Sequence, residues 1–211
     1  MMYQQYPAGW VEVICGCMFA GKTEELIRRI KTLQYGKKKV KVFKPRIDNR
    51  YAIDEIASHS GYKVSCICID EANDILNHLE DDDEVICVDE VQFLGDEIVS
   101  ISEALADKGI RVILAGLDRD FRGNAFGAMA ELLIHAEFVT KLSAVCNKCG
   151  NPATRTQRII DGKPAHYKDP TILVGAVESY EPRCRHCHEV LGAPKIKIKK
   201  LNSIYYKFSY N

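Results

Sequence analysis

"ICGCMFAGKTEEL", residues 14–26, decides how this chain is read. From Gly16 to Thr23 it carries the spacing G-x-x-x-x-G-K-T. Glycines at both ends permit backbone angles that turn successive N–H groups toward phosphate oxygens. Gly16, Cys17, Met18, Phe19, Ala20 and Gly21 would supply main-chain contacts to a nucleotide. Lys22 would neutralise the β- and γ-phosphates, and the Thr23 hydroxyl would ligate Mg²⁺. The flanks suit this motif. "WVEVI", residues 10–14, reads as a buried strand, and residues 23–33 place Leu26, Ile27, Ile30 and Leu33 at helical spacing. The helix start adds its positive dipole end. The middle of the loop is soft and apolar: Cys17, Met18 and Phe19. Phe19 is expected to pack in the core, which leaves Met18 for other work.

Further strands are expected at residues 40–45, 64–69, 84–90, 110–117 and 138–142, with helices at 70–79, 96–108 and 127–135. Residues 46–61 are polar and aperiodic, a loop long enough to be functional. Strands alternating with helices argue an α/β fold, a mainly parallel sheet covered on both faces. Ligands in such sheets sit beyond the carboxyl ends of the strands. Both the glycine-rich loop and Asp89–Glu90 fall there.

Asp89 ends an apolar strand, as the Mg²⁺-side acid of a phosphate-loop enzyme should. Neighbours on an extended strand point opposite ways, so Glu90 is expected to face a nucleophile. That nucleophile is water in an ATPase and a substrate hydroxyl in a kinase, and "DEVQF" by itself separates neither. Length and charge narrow the choice. The 211 residues hold one such core, where helicase motors usually need two. Lys plus Arg equals Asp plus Glu at 29 each, a poor balance for gripping a polyanion. A small substrate follows, and zero net charge also favours burying surface in an oligomer. Apolar runs such as residues 112–117 are far short of the roughly 20 that span a membrane. The first ten residues lack a basic stretch followed by an apolar one, so no secretion signal is expected.

Four of the nine cysteines form two pairs, Cys146-x-x-Cys149 and Cys184-x-x-Cys187. Without an export signal they read as a closed, structural four-thiolate Zn²⁺ site, with His186 and His188 as weaker candidates. Residues 150–183 would then be a lid held at both ends. Its stretch "ILVGAVESY", residues 172–180, offers apolar groups, a glycine and an aromatic to close over a flat ligand. The expected organisation is a nucleotide-binding domain over 1–143, a zinc-binding domain over 144–194 and a basic, Tyr-rich tail over 195–211.

The phosphate loop, the Asp89–Glu90 strand end, "LDRDFRGNAFG" and the two zinc knuckles occur in one order. Over about residues 10–190 this chain resembles the type II (cytosolic-type, zinc-containing) thymidine kinases. The resemblance implies a RecA-like phosphate-loop core with a small zinc-ribbon-like domain carrying a lasso loop. It implies transfer of the γ-phosphoryl of ATP, with Mg²⁺, to the 5′-hydroxyl of thymidine, inhibition by dTTP, and a cytoplasmic homotetramer with no nucleic-acid or membrane partner. By position, Glu90 becomes the proton acceptor and Asp89 a Mg²⁺ contact, with Gln92 near the ATP phosphates. Met18, Leu117, Phe121, Thr156, Val174, Gly175 and Tyr180 would surround the thymidine. Asp48 and Arg50 match a motif near the phosphates. Cys17 and Ala20 stand where the family often has serine or proline, and serine; neither change removes a backbone donor. The rivals are an ATPase stimulated by nucleic acid through the zinc module, and a zinc adaptor without activity.

Overall fold

The computed structural model describes residues 9–47, 55–57, 61, 63–172 and 178–194. Its centre is a six-stranded, fully parallel sheet of order β5-β2-β6-β7-β1-β8. The strands are β1 (Val11–Gly16), β2 (Val40–Pro45), β5 (Ile67–Ile69), β6 (Val85–Val88), β7 (Arg111–Leu117) and β8 (Phe138–Leu142). Two short strands, β3 (Glu55–Ala57) and β4 (Lys63–Ser65), pair as an antiparallel ribbon outside that sheet.

Helix α1 (Lys22–Tyr35) covers one face, and α2 (Asp74–Asn77), α3 (Glu97–Asp107) and α4 (Met129–His135) lie on the other. Alternation along the strands sorts the core accordingly. Ile14, Val42, Val85, Cys87, Ile113 and Ala115 meet Leu26, Ile27 and Ile30 of α1. Val13, Cys15, Phe43, Ile86, Val88 and Leu114 meet Ile98, Leu105, Met129 and Leu132. Strands buried on both sides read as continuous apolar runs, which is why "VICV" and "VILAGL" stand out in the sequence.

Beyond β8 the chain forms β9 (Ala144–Val145), β10 (Pro152–Ala153), β11 (Arg155–Ile160), β12 (Lys163–Pro164) and β13 (Glu178–Arg183). β9 pairs with β10, and β12-β11-β13 make a three-stranded antiparallel sheet.

The α/β expectation holds, with four local corrections. The expected strand at 64–69 is two strands parted at Cys66: β4 pairs with β3, and β5 pairs with β2. An apolar run fixes neither register nor partner. The loop at 46–61 contains β3, whose Ile56 is buried under the α1 face. The helix at 70–79 shrinks to one turn, because Asp74 Oδ2 accepts the N–H groups of Asp70 and Glu71 and builds a turn ahead of it. The strand at 84–90 stops at Val88, before the two carboxylates.

Candidate active site

β1 delivers the chain into the phosphate loop at Gly16. A Cβ there would lie 2.5 Å from the Leu142 carbonyl oxygen, so β8 leaves room for glycine alone. Gly21, at φ 82°, turns the chain into α1, whose first turn has no side-chain cap. Its N–H groups are therefore available to an anion. Lys22 is 8 % exposed, and its ammonium donates to the Cys17 carbonyl at 3.0 Å and folds over the loop. Phe19 departs from expectation. It adopts φ 64° at the loop apex and is 48 % exposed rather than in the core. The left-handed turn aims that side chain outward. Cys17 is the residue that goes inside: its thiol donates to the Ala153 carbonyl at 3.3 Å and packs with Ala20, Cys146 and Cys184. The Met18 N–H donates to Thr156 Oγ1 at 3.1 Å. The loop is thereby seated on β10 and β11.

Asp89 is 4 % exposed; its Oδ2 accepts from Thr23 Oγ1 at 3.0 Å and its Oδ1 from the Glu90 N–H at 3.0 Å. This carboxylate and hydroxyl sit beside the loop lysine and form an oxygen donor set suited to Mg²⁺. Burial, then the neighbouring Glu90 charge, pushes the Asp89 carboxyl up to about 7, against the opposing Glu90 N–H, Thr23 hydroxyl and Lys22 ammonium. Glu90 diverges from Asp89 by a different route than strand alternation. It takes a left-handed conformation, φ 50° and ψ 38°, uncommon for a non-glycine residue. Its Oε2 accepts from Gln92 Nε2 at 2.5 Å, and Gln92 Oε1 accepts from the Leu117 N–H at 3.0 Å. Gln92 thus ties Glu90 to the end of β7; its side-chain hydrogen bonds go there and not to the phosphate loop.

A cavity of about 230 Å³ opens where these elements meet. Met18, Glu90, Leu117, Phe121, Thr156 and Tyr180 line it together. Val174 and Gly175, expected there, and Asp48 and Arg50, expected near the phosphates, lie outside the described residues. Ile47, Thr171 and Ile172 also line it, and Phe93, Phe126, Arg119 and Asp120 complete the wall, with Phe93 and Phe126 edge-on at 5.3 Å between ring centroids. The sequence reading missed these four. Three of them stand in "LDRDFRGNAFG", where a cluster of charges and aromatics just past a strand end is the available signal.

Phe121 is locked from several sides. Arg122 lies over its ring at 4.6 Å and Arg158 at 5.2 Å. His188 Nε2 hydrogen-bonds the Phe121 carbonyl at 2.8 Å, which occupies it away from the metal cluster. Arg122 also pairs with Asp120 at 2.9 Å and donates to Tyr167 O, Asp169 O and Thr171 Oγ1. It grips the chain just before the lid stretch. The lid itself is less a loop than expected, because its described residues include β10 to β13.

The four thiols of Cys146, Cys149, Cys184 and Cys187 lie within 4.8 Å of one another. Cys149 and Cys184 sulfurs are 3.6 Å apart. Thiolates on a tetrahedral ion with bonds of about 2.3 Å sit about 3.8 Å apart, so the donor set fits Zn²⁺. Burial opposes ionisation of Cys146, but the N–H groups of Cys184, Lys148 and Cys149 outweigh it and lower that thiol to about 6. Hydrogen bonding to the other thiols pushes Cys187 up to about 12. Four sulfurs this close cannot all ionise unless a cation joins them. The second possible cluster, Glu80, Asp82 and Asp83, is engaged by Lys39 and Lys41. No helix among the described residues is long and apolar enough to cross a membrane.

Among known protein families, the model described as thymidine kinase matches residues 9–188.

Proposed function

This chain belongs to the thymidine kinase family, a family of phosphotransferases, and we propose that it transfers the γ-phosphoryl group of ATP to the 5′-hydroxyl of thymidine. The observation that carries this reading is the cavity that joins Glu90 and Met18 to Phe121, Thr156 and Tyr180 at the mouth of the phosphate loop. The loop holds the triphosphate through its backbone N–H groups and Lys22. Thr23 and Asp89 would hold Mg²⁺, which would supply charge neutralisation to the phosphates. Phe121, fixed by Arg122 and Arg158, presents a rigid face to the thymine, and Met18 packs a soft thioether beside it. Glu90, oriented by Gln92, accepts the hydroxyl proton. Its buried setting favours the proton-accepting role, since a base there meets little competing water. Catalysis is then mostly positioning and electrostatics.

We extend the reading to the whole molecule. Residues 1–143 act as the nucleotide-binding unit and 144–194 as a zinc-held unit that covers the nucleoside, with 195–211 as an appended tail. The protein works in the cytoplasm as a homotetramer, and dTTP inhibits it.

The test is ADP release from ATP with thymidine, with other nucleosides, and with single-stranded DNA. Thymidine alone should stimulate it. Glu90→Gln should retain thymidine binding and lose turnover by roughly 10²-fold or more, the size of general-base contributions. Stimulation by DNA only, or full turnover in that variant, would sink the proposal.

A further inference from the structure

Arg119 is a cation in this cavity that the reaction as described leaves unused. The two acids that flank it in "LDRD" are already engaged: Asp118 pairs with Lys141 at 2.8 Å, and Asp120 with Arg122 at 2.9 Å. Arg119 itself has no carboxylate partner among the described residues. Its backbone is held firmly. Arg119 bridges to Ala125 across a turn in which Asp120 N donates to Asn124 O at 3.0 Å and Asp120 Oδ1 accepts from the N–H groups of Arg122 and Asn124. Arg119 is half-buried and shares the cavity wall with Glu90 and Met18.

The surroundings add positive charge. Arg155 stands beside the same turn, close enough that a Cβ on Gly123 would lie 2.9 Å from its Nη1. Arg155 also has no acidic partner at hydrogen-bond distance among the described residues. Burial first, then the charges of Arg119 and Arg185, makes its cationic form less favourable than usual, against the opposing charge of Asp118. With Asp118 shared with Lys141, the arginines of this set outnumber the acids facing them, and an added anion would relieve them. Glu90 makes the need sharper: a carboxylate beside the reacting hydroxyl repels the incoming phosphoryl oxygens, and a cation in the same cavity offsets that.

We propose that Arg119 binds the phosphoryl group as it reaches the nucleoside, and therefore also the 5′-phosphate of the monophosphate product. This rests on the reading of the cavity as the thymidine site. In the step it serves, the bond from the 5′-oxygen to the γ-phosphorus forms, and the bond from that phosphorus to the ADP oxygen breaks. The hydroxyl proton passes to Glu90, and Arg119 compensates charge on the equatorial oxygens. A guanidinium suits this role because its fork matches two phosphate oxygens at once.

Calorimetric titration of wild type and Arg119→Gln with thymidine and with thymidine monophosphate tests the assignment. Thymidine affinity should stay within about twofold, while monophosphate affinity falls roughly tenfold to a hundredfold, the range of hydrogen bonds to charged groups. In steady state, kcat should fall while KM for thymidine holds. Arg119→Lys keeps the charge without the fork and should lie between the two; it also serves if the glutamine variant folds poorly. Equal weakening of nucleoside and monophosphate would place Arg119 on the nucleoside and overturn the proposal, as would no change in either. If wild type fails to bind thymidine at all, the reading of the cavity fails instead.

Discussion

Asp89 and Glu90 are adjacent carboxylates with different surroundings, and the difference is set by single residues. Sequence identified both, but the reason for their divergence was not legible. It lies in the left-handed backbone of Glu90 and in the reach of Gln92, and neither leaves a periodic trace. Phe19 shows the same limit: an aromatic is usually buried, yet a left-handed loop apex turns this one outward. Asp89 carries a pH signature. Its carboxyl is raised from 3.8 to about 7, so the folded protein holds a proton that the unfolded chain has already lost. Between about pH 4 and 7 the folded state binds more protons, and this group's contribution to stability declines as pH rises. Above about 7 the decline stops. Asp89→Asn removes the titration and keeps the shape. Without added magnesium, thermal unfolding of wild type should weaken from pH 5 to 8 relative to Asp89→Asn. Parallel curves for the two proteins would show that Asp89 ionises normally. Magnesium with nucleotide should narrow the gap, since a bound cation favours the charged form.

At the scale of elements, β1, the phosphate loop and α1 were readable because an apolar run meets a glycine spacing and then a 3.6-residue period. β11, "RTQRII", was not readable, because its buried residues are polar: Thr156, Gln157 and Arg158. What buries them is tertiary. Gln157 exchanges hydrogen bonds with the Glu189 backbone, and Arg158 donates to Pro170 O at 2.6 Å. No strand propensity encodes such partners. The seam between β11 and the phosphate loop has a consequence for binding. Thr156 is buried, and its hydroxyl oxygen accepts the Met18 N–H. Thr156→Val keeps the volume and removes that acceptor, leaving the N–H unsatisfied at a cost of about 1–3 kcal/mol. ADP affinity should fall along with thymidine affinity, because the loop that holds phosphate loses an anchor. Titration of ADP into this variant decides the matter; an unchanged ADP affinity with weakened thymidine would mean that the seam does not position the loop.

The whole molecule divides its stability unevenly. The six-stranded sheet has an apolar cluster on each face, with α1 on one side and α2, α3 and α4 on the other. Strands β9 to β13 rest on a far smaller cluster, Cys17, Cys146, Ala153 and Cys184, with Ala20, Ala144 and Cys187 against it. Strands as short as β9, β10 and β12 cannot hold together on that burial alone, and small modules of this kind use metals as staples. Two cysteine knuckles were legible as such a staple because C-x-x-C spacing is local; that a phosphate-loop cysteine packs against them was not, because residues 17 and 146 meet only in the fold. Zinc binding is therefore expected to contribute folding energy to one part of the molecule and little to the other. Freshly purified, reduced protein should contain about one zinc per chain. Chelation should raise amide hydrogen exchange across β9 to β13 and in the phosphate loop that Cys17 anchors, while β2, β6 and β7 stay protected. Uniform loss of protection would mean that the metal holds the whole fold together. Unchanged exchange would mean that the four thiols suffice without it.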